Sequence, residues 1–205
     1  WLMEFPFQIP INKKGIDTAV RTFSVRHDAF FSTVTSGLNM LIGGIQGLLQ
    51  IVPWWLFIIG IFFAGYRSTR SIKNGLLFSF FIALIGMVGL WTMMLETLSI
   101  IIASVIISLV FGLPLGILVG KFDRVEKIVR PILDTMQTMP VFVYLIPALL
   151  FFGLGKAPAV IATTIYAIVP VIRLTSLGIR QVDKEVVEAA RAFGSTGMQT
   201  LIKVQ

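Results

Sequence analysis

Val182 to Gln205 reads VDKEVVEAARAFGSTGMQTLIKVQ, a polar amphipathic stretch at the end of an otherwise apolar chain. Val182, Val186, Ala189, Ala190 and Phe193 recur at helical spacing and share one face, leaving Lys184, Glu185, Glu188 and Arg191 to water. Asp183 can cap this first helix, with Glu185 close to its positive end. Gly194 suits a left-handed helix stop, and Ser195 can cap a second helix running from Thr196 towards Gln205. Such a water-compatible pair of helices is a place for a partner to grip.

The rest of the chain is matched to lipid. Hydrophobic residues make up 56% of the 205 positions against 13% charged, and the mean hydropathy is +0.91, far above a water-soluble domain. This predicts an all-α integral membrane protein embedded in a lipid membrane. The formal charge of +7 comes from basic residues placed singly at the ends of apolar runs, with no basic stripe interleaved with aromatics, so no nucleic acid is expected. The chain has no cysteine and one histidine, His27, which excludes disulfides, thiolate chemistry and a histidine-cluster metal site. No metal site and no cofactor are expected on this chain. It opens at Trp1 and stops at Gln205 within a helical pattern, so a longer polypeptide is expected. No signal peptide is visible, because the opening stretch lacks a basic leader and prolines interrupt it.

Working back along the chain, residues 1–28 read as a loop with a helix starting near Asp17. Ala29 to Tyr66 then carries no charge, too long for one span of about 20 residues. Its first part places Leu38, Leu41, Ile42, Ile45 and Leu49 on one face, the pattern of a helix lying in the interface, read here in preference to a further span. Residues 1–47 thus form an N-terminal extracytoplasmic or interfacial region. A transmembrane core follows over 48–182, with five spans at about 48–66, 75–94, 98–120, 138–154 and 158–172. Pro53 falls in the first turn of the first span, a turn at Glu96 precedes the third, and GLGKAP turns between the last two. Arg67, Arg70 and Lys73, the segment KFDRVEKIVRP at 121–131, and Arg173 and Arg180 put the basic loops on one side. That side is cytoplasmic by the positive-inside rule, and residues 183–205 lie there with it.

Pro114 sits between Gly112 and Gly116, and Pro140 and Pro147 flank VFVYLI. An interior proline frees a carbonyl that hydrocarbon cannot satisfy. Such helices face protein or a cavity, or are simply kinked by ordinary packing. Gln137, Thr138, Pro140, Tyr144 and Pro147 are candidates for a solute path or gate, while Asp134 suits a cap or a pair with Arg130. No phosphate loop, zinc-protease motif, nucleophile elbow or acid pair occurs, so no catalytic residue is assigned. The five spans carry no ionisable residue suited to ion coupling, which points to an external source of energy.

Glu188, Ala189, Ala190, three residues and then Gly194, with Val204 following after nine intervening residues, resemble the EAA loop of binding-protein-dependent ABC importer permeases. Val204 stands where isoleucine is typical. The segments GLPLGILVGKFDRVEKIVRPILDTMQTMPVFVYLIPALLFFGLG and IYAIVPVIRLTSLGIRQVDKEVVEAARAFGSTGMQTLIKVQ are similar to permeases of the glycine betaine/proline betaine class, PILDTMQTMPVFVYLIPA being the most specific part. The first hundred residues are only broadly similar.

The resemblance implies a type I ABC importer transmembrane domain, paired as a homodimer in a prokaryotic plasma membrane. It also implies an ATP-binding cassette subunit carrying ATP and Mg, and an extracytoplasmic solute-binding protein or fused binding domain. Glu188, Ala189, Ala190, Arg191, Phe193 and Gly194 would then form the coupling element, and the cargo would be a quaternary amine such as glycine betaine. The competing reading is a channel or membrane anchor with no ATPase partner.

Overall fold

The computed structural model describes residue 18 and residues 22–204. The loop expected over 1–17, the helix start near Asp17, the charges of Lys13, Lys14 and Arg21, and Gln205 lie outside the described residues. Among those described, every regular element is an α-helix, as the composition requires.

α1 (Asp28–Ile51) and α2 (Trp54–Thr69) meet at a 90° bend. Pro53 stands just before α2 with φ −59°, where its missing amide costs nothing and its locked φ starts a helix. Residues 48–51, read as the beginning of the first span, instead complete α1. The apolar stripe of α1 is covered by protein: Ile42 is buried with Ala103 and Val160, and Leu38, Leu41 and Ile45 pack around it.

α2 and α3 (Ile72–Met87) form an antiparallel hairpin at close range. A Cβ on Gly65 would lie 2.6 Å from the Phe78 ring, one on Gly75 would lie 2.9 Å from the Phe62 carbonyl oxygen, and the Ser79 hydroxyl donates to the Ile58 carbonyl at 3.2 Å.

α3 stops at Met87, not Met94. Gly89 takes φ 83°, its amide donates to the Gly86 carbonyl and that of Leu90 to the Ile85 carbonyl, the paired bonds of a glycine-closed helix end. The turn therefore lies at 88–90, and Glu96, expected within a turn, is inside α4 (Trp91–Lys121). Its carboxylate stays there because Lys156 Nζ is 3.1 Å away.

α5 (Asp123–Thr138) and α6 (Phe142–Phe152) make a second bent pair at 91°. The segment expected as a polar loop is thus the first half of an amphipathic helix, whose Val125, Val129 and Leu133 pack with Val119, Val169 and Ile172. Gly153 and Gly155 have φ 76° and 146° and turn the chain into α7 (Lys156–Gln181). α7 continues nine residues past Ile172, through Arg173 and Arg180, because both guanidiniums find carboxylate partners on α5.

α4 and α7 are each long and apolar enough to cross a membrane, with mean hydropathies of 2.6 and 1.8 over their most apolar windows. They form the most extensive helix pair of the described residues. Ser99, Ala103, Ser108, Gly112, Gly116 and Gly120 line the buried face of α4. The Ser104 hydroxyl shares its proton between the Ile100 carbonyl of its own helix at 2.8 Å and the Val160 carbonyl of α7 at 3.3 Å, and that of Ser108 donates to the Thr164 carbonyl at 3.4 Å. Gly112 then faces Val171, Gly116 faces Thr175 and Gly120 faces Ile179. Partners advance together along both helices, so α4 and α7 run parallel, and α5 with α6 must return the chain between them.

A methyl group at position 116 would come within 2.6 Å of the Thr175 Cβ and 3.0 Å of the Ile172 carbonyl oxygen, while one at 178 meets nothing within 4 Å. Gly116→Ala is expected to destabilise by about 1–3 kcal/mol, the scale of overpacking a closed contact. Gly178→Ala should leave stability unchanged or slightly raised. Thermal unfolding in detergent measures both, and equal midpoints for the two variants would contradict the close contact.

Candidate functional site

The polar end of the molecule is built where α4 and α7 finish side by side. Val182, extended at φ −66° and ψ 132°, separates α7 from α8 (Lys184–Ala192). Asp183 caps α8 as its sequence position suggests, its carboxylate accepting from the Glu185 amide at 3.0 Å. At the other end Gly194 has φ 83°, the Gly194 amide donates to the Arg191 carbonyl and the Ser195 amide to the Ala190 carbonyl. This is the glycine stop expected from the sequence, but it uses the Ser195 amide, so the next cap moves one residue on. Thr196, not Ser195, caps α9 (Gly197–Lys203). Its hydroxyl accepts from the Gln199 amide at 3.3 Å, and Gln199 Oε1 accepts from the Thr196 amide at 2.9 Å, a reciprocal capping box.

The face shared by Val186, Ala189 and Phe193 is present and uncovered. Val186 is 52% exposed and Phe193 91% exposed, while the residue of α8 that turns inward is Val187. Ala190 is half-buried. Glu188 and Arg191 lie on another side, facing a cavity of about 730 Å³ that α8 and α9 share with Gly120, Lys121, Phe122 and Asp123. The six candidate coupling residues therefore divide: Ala189 and Phe193 point outward, Glu188 and Arg191 line the cavity, Ala190 lies between, and Gly194 makes the turn.

Ion pairs absent from the sequence reading hold this end together. Arg180 Nη1 donates to Asp123 Oδ1 at 2.7 Å, Nη2 donates to the Val119 carbonyl at 2.9 Å and lies 3.1 Å from Glu126 Oε2. The hydrogen bond and charge of Arg180 hold the Asp123 carboxyl below the usual carboxylate range. Asp134 pairs with Arg173 on α7, not with Arg130 on its own helix, because α7 packs along that side of α5. These partners are 39 to 57 residues apart, and helical spacing gives no signal at that range. At the opposite end of α7, Lys156 joins Glu96 of α4 and donates to Gln46 Oε1 of α1 at 3.0 Å.

The candidate path residues gather at the α5–α6 bend. Pro140 lies in the break, and the Tyr144 hydroxyl spans it by donating to the Met136 carbonyl at 2.8 Å. The Thr138 hydroxyl turns back to the Thr135 carbonyl at 2.8 Å, while Gln137 and Pro147 are exposed. None of these five lines the cavity beside α8. No cluster of three or more metal-ligating side chains occurs among the described residues.

Comparison with known proteins covers both ends of this arrangement. Residues 112–205 match the family described as binding-protein-dependent transport system inner membrane component. The glycine betaine/carnitine transport permease protein GbuB of Listeria monocytogenes is 45% identical over 181 residues, 87% of this chain and 64% of that protein. The glycine betaine transport system permease protein OpuAB of Bacillus subtilis is 45% identical over 191 residues, 93% of this chain and 67% of that protein. The glycine betaine/proline betaine permease ProW of Escherichia coli is 38% identical over 192 residues, 94% of this chain and 53% of that protein. The chain thus spans between half and two thirds of the length of these relatives. With its all-helical architecture and its match through α4 to α9, the chain belongs to the inner membrane components of binding-protein-dependent transport systems, with the fold of a type I ABC importer transmembrane domain.

Proposed function

We propose that this chain is the transmembrane permease part of an ATP-driven importer for a small compatible solute such as glycine betaine. The observation that carries the reading is the uncovered apolar stripe of Val186, Ala189 and Phe193 on α8. It sits two residues, Val182 and Asp183, beyond the helix packed most closely into the core. An apolar helix face left bare beside a membrane, on a short capped helix, favours a protein partner with a groove. The partner in this reading is an ATP-binding cassette subunit, which supplies ATP and Mg. Ala189 and Ala190 permit close approach, Glu188 and Arg191 provide polar anchors on the cavity side, Phe193 is the apolar plug and Gly194 holds the bend.

The energy source follows from where charge is missing. Between Glu96 and Lys121 on α4, and between Lys156 and Arg173 on α7, the sequence carries no Asp, Glu, Lys, Arg or His. Ion-coupled carriers place such residues at mid-membrane. Work done at α8 then reaches the solute path mechanically, and the α5–α6 bend, with Gln137, Thr138, Pro140, Tyr144 and Pro147, is the element that opens and closes it. The names of the relatives supply the cargo, glycine betaine with carnitine or proline betaine, and an extracytoplasmic binding protein or a fused binding domain delivers it. The assembly contains two permease copies in a prokaryotic plasma membrane, with α8 and α9 in the cytoplasm.

Proteoliposomes holding the complete complex should accumulate labelled glycine betaine only when ATP is supplied on the side of α8. Accumulation that is indifferent to ATP would refute an ATP-driven permease and favour a channel. Ala189→Trp places a large ring at an exposed position of α8, so the fold should survive. Uptake and ATPase co-purification should both fall by about tenfold or more, the effect of about 1.4 kcal/mol at a contact. Full uptake by this variant would remove α8 from the partner surface.

A further inference from the structure

α8 and α9 pack on each other, and the cavity of about 730 Å³ lies between them and the α4–α5 junction. A push on α8 therefore has few direct contacts through which to reach α5. The covalent route passes Val182 to α7, and the first side chain on that route to hold other helices is Arg180. It binds three points at once: the Val119 carbonyl of α4, Asp123 at the start of α5 and Glu126 one turn on.

The three contacts differ in weight. Asp123 is 81% exposed, and a pair that open is weak and screened by salt. Glu126 is only 30% exposed. The Val119 carbonyl lies in the last turn of α4, where no helical amide follows to satisfy it; the Phe122 amide goes to the Leu118 carbonyl instead. Arg180 thus acts as a C-terminal cap for α4 while its fork holds the acidic first turn of α5. A lysine could keep the charge but not reach several acceptors with one planar fork.

We propose that Arg180 is the positioning residue that transmits displacement of α8 to α4 and α5, making the three helix ends one moving unit. The proposal rests on α8 being the surface held by the ATPase. Without this fork, α7 and α8 would shift while α5 and its bend lagged behind, and ATP would be hydrolysed without transport.

The test is the number of ATP molecules hydrolysed per labelled glycine betaine imported by the complete complex in proteoliposomes. Arg180→Gln is expected to raise that ratio by about fivefold or more, the lower range of coupling between distant sites, with complex yield retained. Arg180→Lys should give a smaller rise, as should Glu126→Gln, which leaves the Val119 and Asp123 contacts in place. Should Arg180→Gln fail to assemble, the Lys and Glu126→Gln ratios decide the matter. If uptake and hydrolysis fall in proportion in these variants, or neither changes, Arg180 is an ordinary structural residue and the proposal fails. ATP-independent uptake by the unsubstituted complex would instead overturn the transport reading beneath it.

Discussion

Everything in this chain depends on how closely α4 and α7 approach. Lipid tails are as apolar as leucine, so two helices in a bilayer gain little from hydrophobic burial and associate through close packing and short polar contacts. Serines at 104 and 108 are followed by glycines at 112, 116 and 120, and this stripe lets α4 meet the backbone of α7. Each serine contact contributes about 0.6 kcal/mol on the scale of such bonds in membranes. The larger share comes from close approach, since even one methyl at position 116 would lie 2.6 Å from the Thr175 Cβ and press on the Ile172 carbonyl.

The direction of that packing determines the rest. Because α4 and α7 are parallel, their C-terminal ends lie together, and the segment between them must return across the core as α5 and α6. The acidic start of α5 then lies beside the end of α7, where Arg180 can reach it. The same constraint puts α8 just beyond the end of the closely packed α7, separated from it by Val182 and Asp183. In the proposed reading a force applied to α8 would enter the fold at this close-packed pair and would reach the bend with Pro140 through α5. Close pair, polar fork and proline break would together make the lever that the proposed function requires.

Local chemistry was legible in the sequence and long-range chemistry was not. Asp183 and Gly194 act through backbone groups within a few residues, so their spacing was sufficient to place a cap and a stop. Membrane character and the parallel sense of the basic ends followed from composition and charge order. The error at Ser195 was also local: one amide was consumed by the glycine stop, and the cap moved to Thr196. Hydropathy alone makes Arg173, Arg180 and Glu96 marks of helix ends, because an isolated charge in an apolar run is costly. Their partners lie on other helices and remove that cost, so α4 and α7 run longer than hydropathy suggested. The stripe of α1 presented the same difficulty, since an apolar face fits lipid and protein equally well until Ala103 and Val160 are seen against it. Exposure of Val186 and Phe193 was beyond the sequence for the converse reason: periodicity identifies an apolar face but not whether anything covers it.

The parallel arrangement of α4 and α7 is the claim on which the lever, the fork and the position of α8 all rest. The chain has no cysteine, so single cysteines can be placed at Lys121, Leu154 and Lys184 and labelled with a membrane-impermeant thiol reagent in oriented vesicles. The account predicts that positions 121 and 184 label from one side, that of the cytoplasm, and position 154 from the other. Labelling of 121 and 184 from opposite sides would contradict it.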